Sequence, residues 1–236
     1  MIIEGKNPCY EALISDITIE KILFSKTIPG DYVEKLKPLI KQKNCKFQFV
    51  EKNILDSYSQ SKKHQGVICF ASEYKYTDFD VMLKRDGLIL LLDKIEDPQN
   101  LASIIRSSEC GKINGIVITK NHSALVTDSV IKTSTGAAFH TDIARVTNLG
   151  DVIDKLKNNG YFVFALDMDG NSIYKTNLTG NIALVVGSEG FGVTKSYKKN
   201  CDGVVKIPMR GKVNSLNVSN ATAIAIFEYN RQNYGE

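Results

Sequence analysis

Three short stretches carry residue types that could hold and process a polar ligand. Asp97-Pro98-Gln99-Asn100 leads into a helical run containing Arg106, Gly187-Ser188-Glu189-Gly190-Phe191-Gly192 places three glycines around a carboxylate, and a long loop from Pro208 to Leu216 ends at Asn217 and Ser219. Glycines allow close backbone approach to a ligand, and Glu189 among them argues against a bare phosphate cradle and for a neutral or cationic ligand. Ser215, Asn217 and Ser219 are all competent helix caps although one suffices, so the surplus of small polar groups at a helix start points to ligand contacts. Arg106 follows Asn100 by six residues, close to two helical turns, and the two are expected to face roughly the same way. Each feature also has a plainer reading: Asn100 as a cap, Arg106 as a surface ion pair, Glu189 as a helix-start acid, and the glycines as a turn.

These loops need a scaffold, and the hydrophobic pattern predicts one. From Gly87 onward strands alternate with helices: Leu88–Leu92, Gly115–Thr119, Phe162–Leu166, Ile182–Val186 and Val204–Ile207, separated by helices near Leu101–Cys110, Val126–Lys132, Leu149–Lys157 and Asn217–Gln232. Continuous apolar strands of this kind belong in a mostly parallel sheet covered on both faces, and ligands of such sheets bind at the carboxyl ends of the strands, where the three loops lie. Before Gly87 a smaller α/β unit is predicted, with helices Asn7–Ser15 and Asp31–Lys43 and strands Lys21–Phe24, Phe47–Val50 and Val67–Ala71. The reading is an α/β chain with an N-terminal domain at 1–76, a linker at 77–86 and a larger domain at 87–236.

Composition narrows the function classes. The chain has 236 residues, 43% hydrophobic and 24% charged, with a net charge of +4, as expected of a globular protein rather than a disordered one. Its apolar runs are too short to span a membrane and no secretory signal is visible at the N-terminus, so a cytoplasmic location is expected. Five scattered cysteines without a CxxC pair and three dispersed histidines suggest neither a disulfide framework nor a metal site. Residues 1–76 hold twelve lysines, no arginine and nine acids. Lys35, Lys37, Lys41, Lys43 and Lys46 follow one another without an intervening acid, directly before Phe47 and Phe49. That stretch is a candidate phosphate-facing patch or, equally, a solvated helix face.

The three loops, in this order and spacing, resemble the three motifs of the SpoU/TrmH family of RNA ribose 2′-O-methyltransferases. Ser134-Thr135-Gly136-Ala137-Ala138 with Arg145-Val146-Thr147-Asn148-Leu149 is similar to the family's middle segment. Gly5-Lys6-Asn7, Glu11-Ala12-Leu13 and His64-Gln65-Gly66-Val67 resemble the substrate-binding domain of its 23S rRNA guanosine branch. Pro8, Cys9 and Asn220 depart from the usual pattern.

The resemblance implies a C-terminal domain with a deep trefoil knot (the SPOUT fold), S-adenosylmethionine as methyl donor, no metal, a homodimer and an RNA substrate. It places Gly187, Ile207 and Leu216 at positions whose backbone binds the donor, Met209 along the donor pocket, and Asn100, Arg106, Glu189, Ser215 and Asn217 at the catalytic centre. It further implies that the N-terminal domain grips rRNA through Lys35 to Lys46, and that removing residues 1–76 spares donor binding while abolishing activity on rRNA. A transfer-RNA ribose methyltransferase, a resistance-conferring rRNA methylase and a noncatalytic RNA-binding protein remain alternatives. A dinucleotide-dependent oxidoreductase is disfavoured, because the loop at residue 97 lacks the glycines that a pyrophosphate requires.

Overall fold

The computed structural model describes residues 1–59, 61–188, 190–213 and 215–235. In chain order the elements are β1 (Ile2–Glu4), α1 (Lys6–Ile14), β2 (Ile19–Ser25), α2 (Gly30–Gln42), β3 (Lys46–Val50), α3 (Lys52–Tyr58), β4 (Val67–Ala71), α4 (Phe79–Met82), β5 (Leu88–Asp93), α5 (Pro98–Cys110), β6 (Gly115–Thr119) and α6 (Asp128–Thr133). There follow β7 (Ile143–Val146), α7 (Leu149–Asn158), β8 (Phe162–Ser172), β9 (Ile182–Gly187), α8 (Lys195–Asn200), β10 (Gly203–Lys206) and α9 (Val218–Tyr234). They form two compact units, one of Met1–Lys75 with Leu125–His140 and the other of Tyr76–Ala124 with Thr141–Glu236.

The first unit is a four-stranded sheet in the order β1-β4-β2-β3, in which only β2 and β3 run parallel. Helix α2 forms because Val33, Leu36 and Ile40 recur at helical spacing, and all three are buried. The sequence reading puts residues 125–140 with the later domain, but they pack here through long-range polar contacts that periodicity does not encode. The Ile2 N–H donates to the Asp128 carboxylate at 3.0 Å, Lys132 pairs with Glu4 at 2.6 Å, and His140 bonds Glu11 at 2.8 Å. Gly136 adopts φ +93°, and a Cβ there would come within 2.5 Å of the Glu11 side chain, so glycine is required where this segment meets α1. A cut after residue 76 would therefore strip buried Val130 and Ile131 of their unit, and it is not the clean test of donor binding that the sequence suggests.

Glu4 is almost fully buried. Burial alone would raise its carboxyl, but hydrogen bonds from Lys132, Ser59 and Ser61 hold it below its ordinary value of 4.5. A lowered folded-state value stabilises the fold above pH 4.5, and that contribution disappears as pH falls through the lowered value. Glu4→Gln should cost about 1–3 kcal/mol in urea denaturation at neutral pH, since it leaves Lys132 without its charge partner. The difference from the parent should shrink in acid; a constant difference across the range would refute the assignment.

The second unit is a six-stranded sheet in the order β10-β8-β9-β5-β6-β7, with every pairing parallel. All residues of β5 and β9 are buried, as strands covered on both faces must be. Strand β7 and helices α4 and α8 were not predicted, being too short for periodicity to reveal. The segment 77–86, read as a linker, contains α4, whose Phe79 and Met82 enter the core of this unit. None of the described helices is long and apolar enough to cross a membrane.

Candidate active site

After β5 the chain moves outward through β6 and β7, whereas β9, β8 and β10 lie on the other side, so the β5/β9 junction is the switch point at which parallel sheets bind ligands. The loops after β5, β9 and β10 leave the same edge of the sheet. At the first, Asp97 caps α5: its carboxylate accepts from the N–H groups of Gln99 (3.0 Å) and Asn100 (3.3 Å), and Pro98 occupies the first turn, where no N–H is needed. Asn100 is thereby released from capping, and its Oδ1 accepts from Nδ2 of Asn217 at 2.9 Å. Asn217 in turn caps α9, its Oδ1 accepting from the Ser219 N–H (2.9 Å) and hydroxyl (2.6 Å). The amide pair joins the first and third loops across more than a hundred residues of sequence, and α5 packs against α9 behind it.

Gly187 ends β9 opposite Asp93, the last residue of β5. A Cβ on Gly187 would overlap the backbone of Gly192 and Val193, so the second loop folds back onto its own strand only because this residue is glycine. Two carboxylates missed by the sequence reading flank the turn. Asp93 is 2% exposed and accepts the Thr194 N–H at 2.7 Å, which anchors the end of the glycine loop. Asp167 lies beside Gly192, in a stretch of β8 where the pairing with β10 jumps from Ala165 to Asn171, and Lys198 bridges it (2.9 Å) to Asp169 (2.6 Å). The signal was present in the sequence, since Asp93 and the run Asp167-Met168-Asp169-Gly170 both sit at the carboxyl end of an apolar strand.

The other expected residues divide clearly. Arg106 is on α5 but does not share a direction with Asn100. Six residues place the two about 120° apart around the axis, so Asn100 lies at the margin of the buried face and Arg106 on the exposed face. Among the described residues Arg106 has no ion pair or hydrogen bond, which leaves its fork available. Ile207 and Leu216 are half-buried, whereas Met209 and Ser215 are exposed. Among the described residues of the loop 208–216 no backbone group bonds to another backbone group. Glu189 lies outside the described residues. The described residues contain no group of three or more His, Cys, Asp or Glu placed to hold a metal.

The candidate RNA-contacting lysines belong to the first unit and are not equivalent. Lys35 sits over the Tyr10 ring at 4.4 Å, Lys37 pairs with Glu34, and Lys43 donates to the carbonyls of Ser15 and Ile17. Lys41 and Lys46 are exposed and, among the described residues, without a partner.

Residues 87–227 match the SpoU rRNA methylase family, and residues 2–77 match a family described as RNA 2′-O ribose methyltransferase substrate binding. A Staphylococcus saprophyticus protein described as a putative TrmH family tRNA/rRNA methyltransferase is 36% identical over 242 residues, covering 99% of this chain and 97% of its own. The fold is similar to the SpoU methyltransferase AviRb from Streptomyces viridochromogenes, solved with AdoMet (TM-score 0.84, 24% identity, 98% of this chain and 89% of that one). It is also similar to an AdoMet-bound rRNA methyltransferase from Sinorhizobium meliloti (TM-score 0.81, 22% identity, 98% and 86%). With both units accounted for and the switch-point loops in place, the chain belongs to the SpoU/TrmH family of RNA 2′-O-ribose methyltransferases.

Proposed function

We propose that this protein transfers a methyl group from S-adenosylmethionine to the 2′-hydroxyl of a guanosine in 23S rRNA. The observation that carries the reading is the joining of the first and third loops by Asn100 and Asn217 at the sheet edge that also carries the glycine turn at Gly187. An rRNA target is supported by the family matched at 87–227 and by the Sinorhizobium rRNA methyltransferase, which is similar across both units. The resemblance of the N-terminal segments favours the 23S guanosine branch. The loops suit such a donor: backbone groups of the described loop residues between Pro208 and Leu216 are not used by one another, and the buried carboxylate of Asp93 at the end of β5 favours a cation. The donor, when bound, supplies an electrophilic methyl carbon.

The chain's own residues then have separable tasks. Gly187, Ile207 and Leu216 hold the donor through their backbones, with Met209 along the pocket. Arg106 grips an RNA phosphate with its fork and favours ionisation of the neighbouring 2′-hydroxyl electrostatically, because a guanidinium is a poor base. Ser215 and Asn217 orient the ribose, Asn100 fixes Asn217, and Glu189 positions Arg106 or the loops. Alignment of hydroxyl and methyl carbon contributes on the order of 7–11 kcal/mol in well-oriented reactions. The same reading carries the trefoil knot, which the family resemblance implies, and a homodimer, supported by the alanine-rich α9. It also carries action in the cytoplasm, where rRNA is modified.

Mapping ribose methylation in rRNA from cells with and without the protein tests the proposal. One guanosine of 23S rRNA should lose its methyl group; loss at a transfer-RNA position, or nowhere, overturns it. The lysines supply a second check. Lys41→Ala and Lys46→Ala should each weaken binding and reduce the salt dependence of RNA affinity by about one unit of log–log slope. Lys43→Ala, whose ammonium already serves two carbonyls, should leave that slope unchanged and lower the melting temperature instead.

A further inference from the structure

The glycine loop after β9 is held in place by polar fastenings. Among the described residues of 188–192 none buries an apolar side chain, and Phe191 is 92% exposed. Within the loop the Gly192 N–H donates to the Ser188 carbonyl at 3.0 Å; beyond it Val193 enters the core and Asp93 anchors the Thr194 amide. The Asp167 carboxylate lies against Gly192, since a Cβ there would come within 3.1 Å of Oδ2, while the Gly192 backbone itself crowds Gly187. Gly192 is therefore wedged between the ends of β8 and β9.

Strand β8 is shaped to deliver that carboxylate. Residues 166–170 have no register partner on β10, whose Val204 pairs with Ala165 and Val205 with Asn171. A bulge of this kind bends its strand and re-aims side chains. It can close because residue 170 is glycine: a Cβ there would meet the Val204 carbonyl at 2.5 Å. The bulge carries two like charges, Asp167 and Asp169, and Lys198 answers both at 2.9 and 2.6 Å.

The two contacts are not equivalent. The Asp167 and Lys198 side chains are 19% and 21% exposed, shielded enough for their attraction to count, whereas Asp169 is 69% exposed and its pairing is worth little. Lys198 rises from α8, which is capped by Thr194, and its own N–H donates to the Thr194 carbonyl at 3.0 Å. The Lys198–Asp167 pair thus closes a ring that runs from Gly192 through Thr194 and α8 back to Gly192. Since Lys198 already neutralises Asp167, that carboxylate is suited to holding the loop rather than to attracting a cationic ligand.

We infer that Lys198 and Asp167 are positioning residues for the methyl donor: their ion pair fixes the Gly192 arm of the glycine loop, and donor affinity depends on it. This rests on the reading of that loop as a wall of the donor pocket, and it adds two residues which that reading does not contain.

The test is calorimetry of the full-length protein with S-adenosylmethionine and with S-adenosylhomocysteine, which lacks the sulfonium charge. Lys198→Met and Asp167→Asn should each weaken both ligands by roughly tenfold, and the double variant should be no worse than either, as for members of one network. Lys198→Arg should restore affinity, and Asp169→Asn should keep the parental value. In turnover the donor KM should rise with kcat little changed, and the melting temperature should stay near the parent's. Parental donor affinity in both Lys198→Met and Asp167→Asn overturns the inference. A loss confined to S-adenosylmethionine also overturns it and assigns Asp167 to direct attraction of the sulfonium. An equal loss in Asp169→Asn, or a fall in kcat and melting temperature in place of the KM effect, overturns it in favour of general charge or fold stability. Gly187→Ala separates the two levels: if it abolishes donor binding while the Lys198 and Asp167 variants do not, only the ion pair's role fails, whereas parental binding in Gly187→Ala removes the loop itself from the donor site.

Discussion

Arg106→Lys is expected to lower single-turnover methyl transfer by roughly 10²- to 10³-fold while leaving donor affinity unchanged, the loss seen when one preorganised stabilising donor is removed from a reacting centre. The expectation follows from the state of this side chain: it is exposed on α5, has no partner among the described residues, and rises from the helix whose first turn holds Asn100 against Asn217. Lysine keeps the charge and loses the planar fork that matches a phosphate, so it should exceed alanine yet remain far below arginine. Near-parental turnover in the lysine variant would remove Arg106 from the proposed mechanism. A structural arginine would instead show itself in the melting temperature, which this substitution should not move.

Gly187→Ala should weaken S-adenosylmethionine binding by about 100-fold or more, measured by calorimetry. The added methyl would overlap backbone atoms of Gly192 and Val193, and backbone cannot rotate aside as a side chain can. The glycine loop must therefore retreat from β9, and a misplacement near 1 Å in a positioning element is enough to cost about 10²-fold. Gly30→Ala, at the start of α2 with nothing within 4 Å of its added carbon, is the matched control and should leave donor affinity at the parental value. Parental affinity in Gly187→Ala would show that the donor does not depend on the shape of this turn.

The amino-acid sequence by itself determined the parts that depend on local pattern. Unbroken apolar runs make β5 and β9 legible as buried parallel strands, and in such sheets ligands bind at the loops that follow the strands. The spacing of Val33, Leu36 and Ile40 was enough to set α2. Tertiary structure decided whatever depends on a partner far along the chain. Asn100 and Asp97 are both good caps on paper, and Asp97 holds the role while Asn217 claims Asn100. Residues 125–140 carry no mark of their unit until Lys132 meets Glu4 and Gly136 meets α1. In sequence Asp93 is simply the residue after an apolar run; in the fold its carboxylate holds the Thr194 amide. Periodicity reports which way a side chain points, because that follows from the backbone repeat, but a hydrogen bond or an ion pair exists only when folding brings its second member within reach.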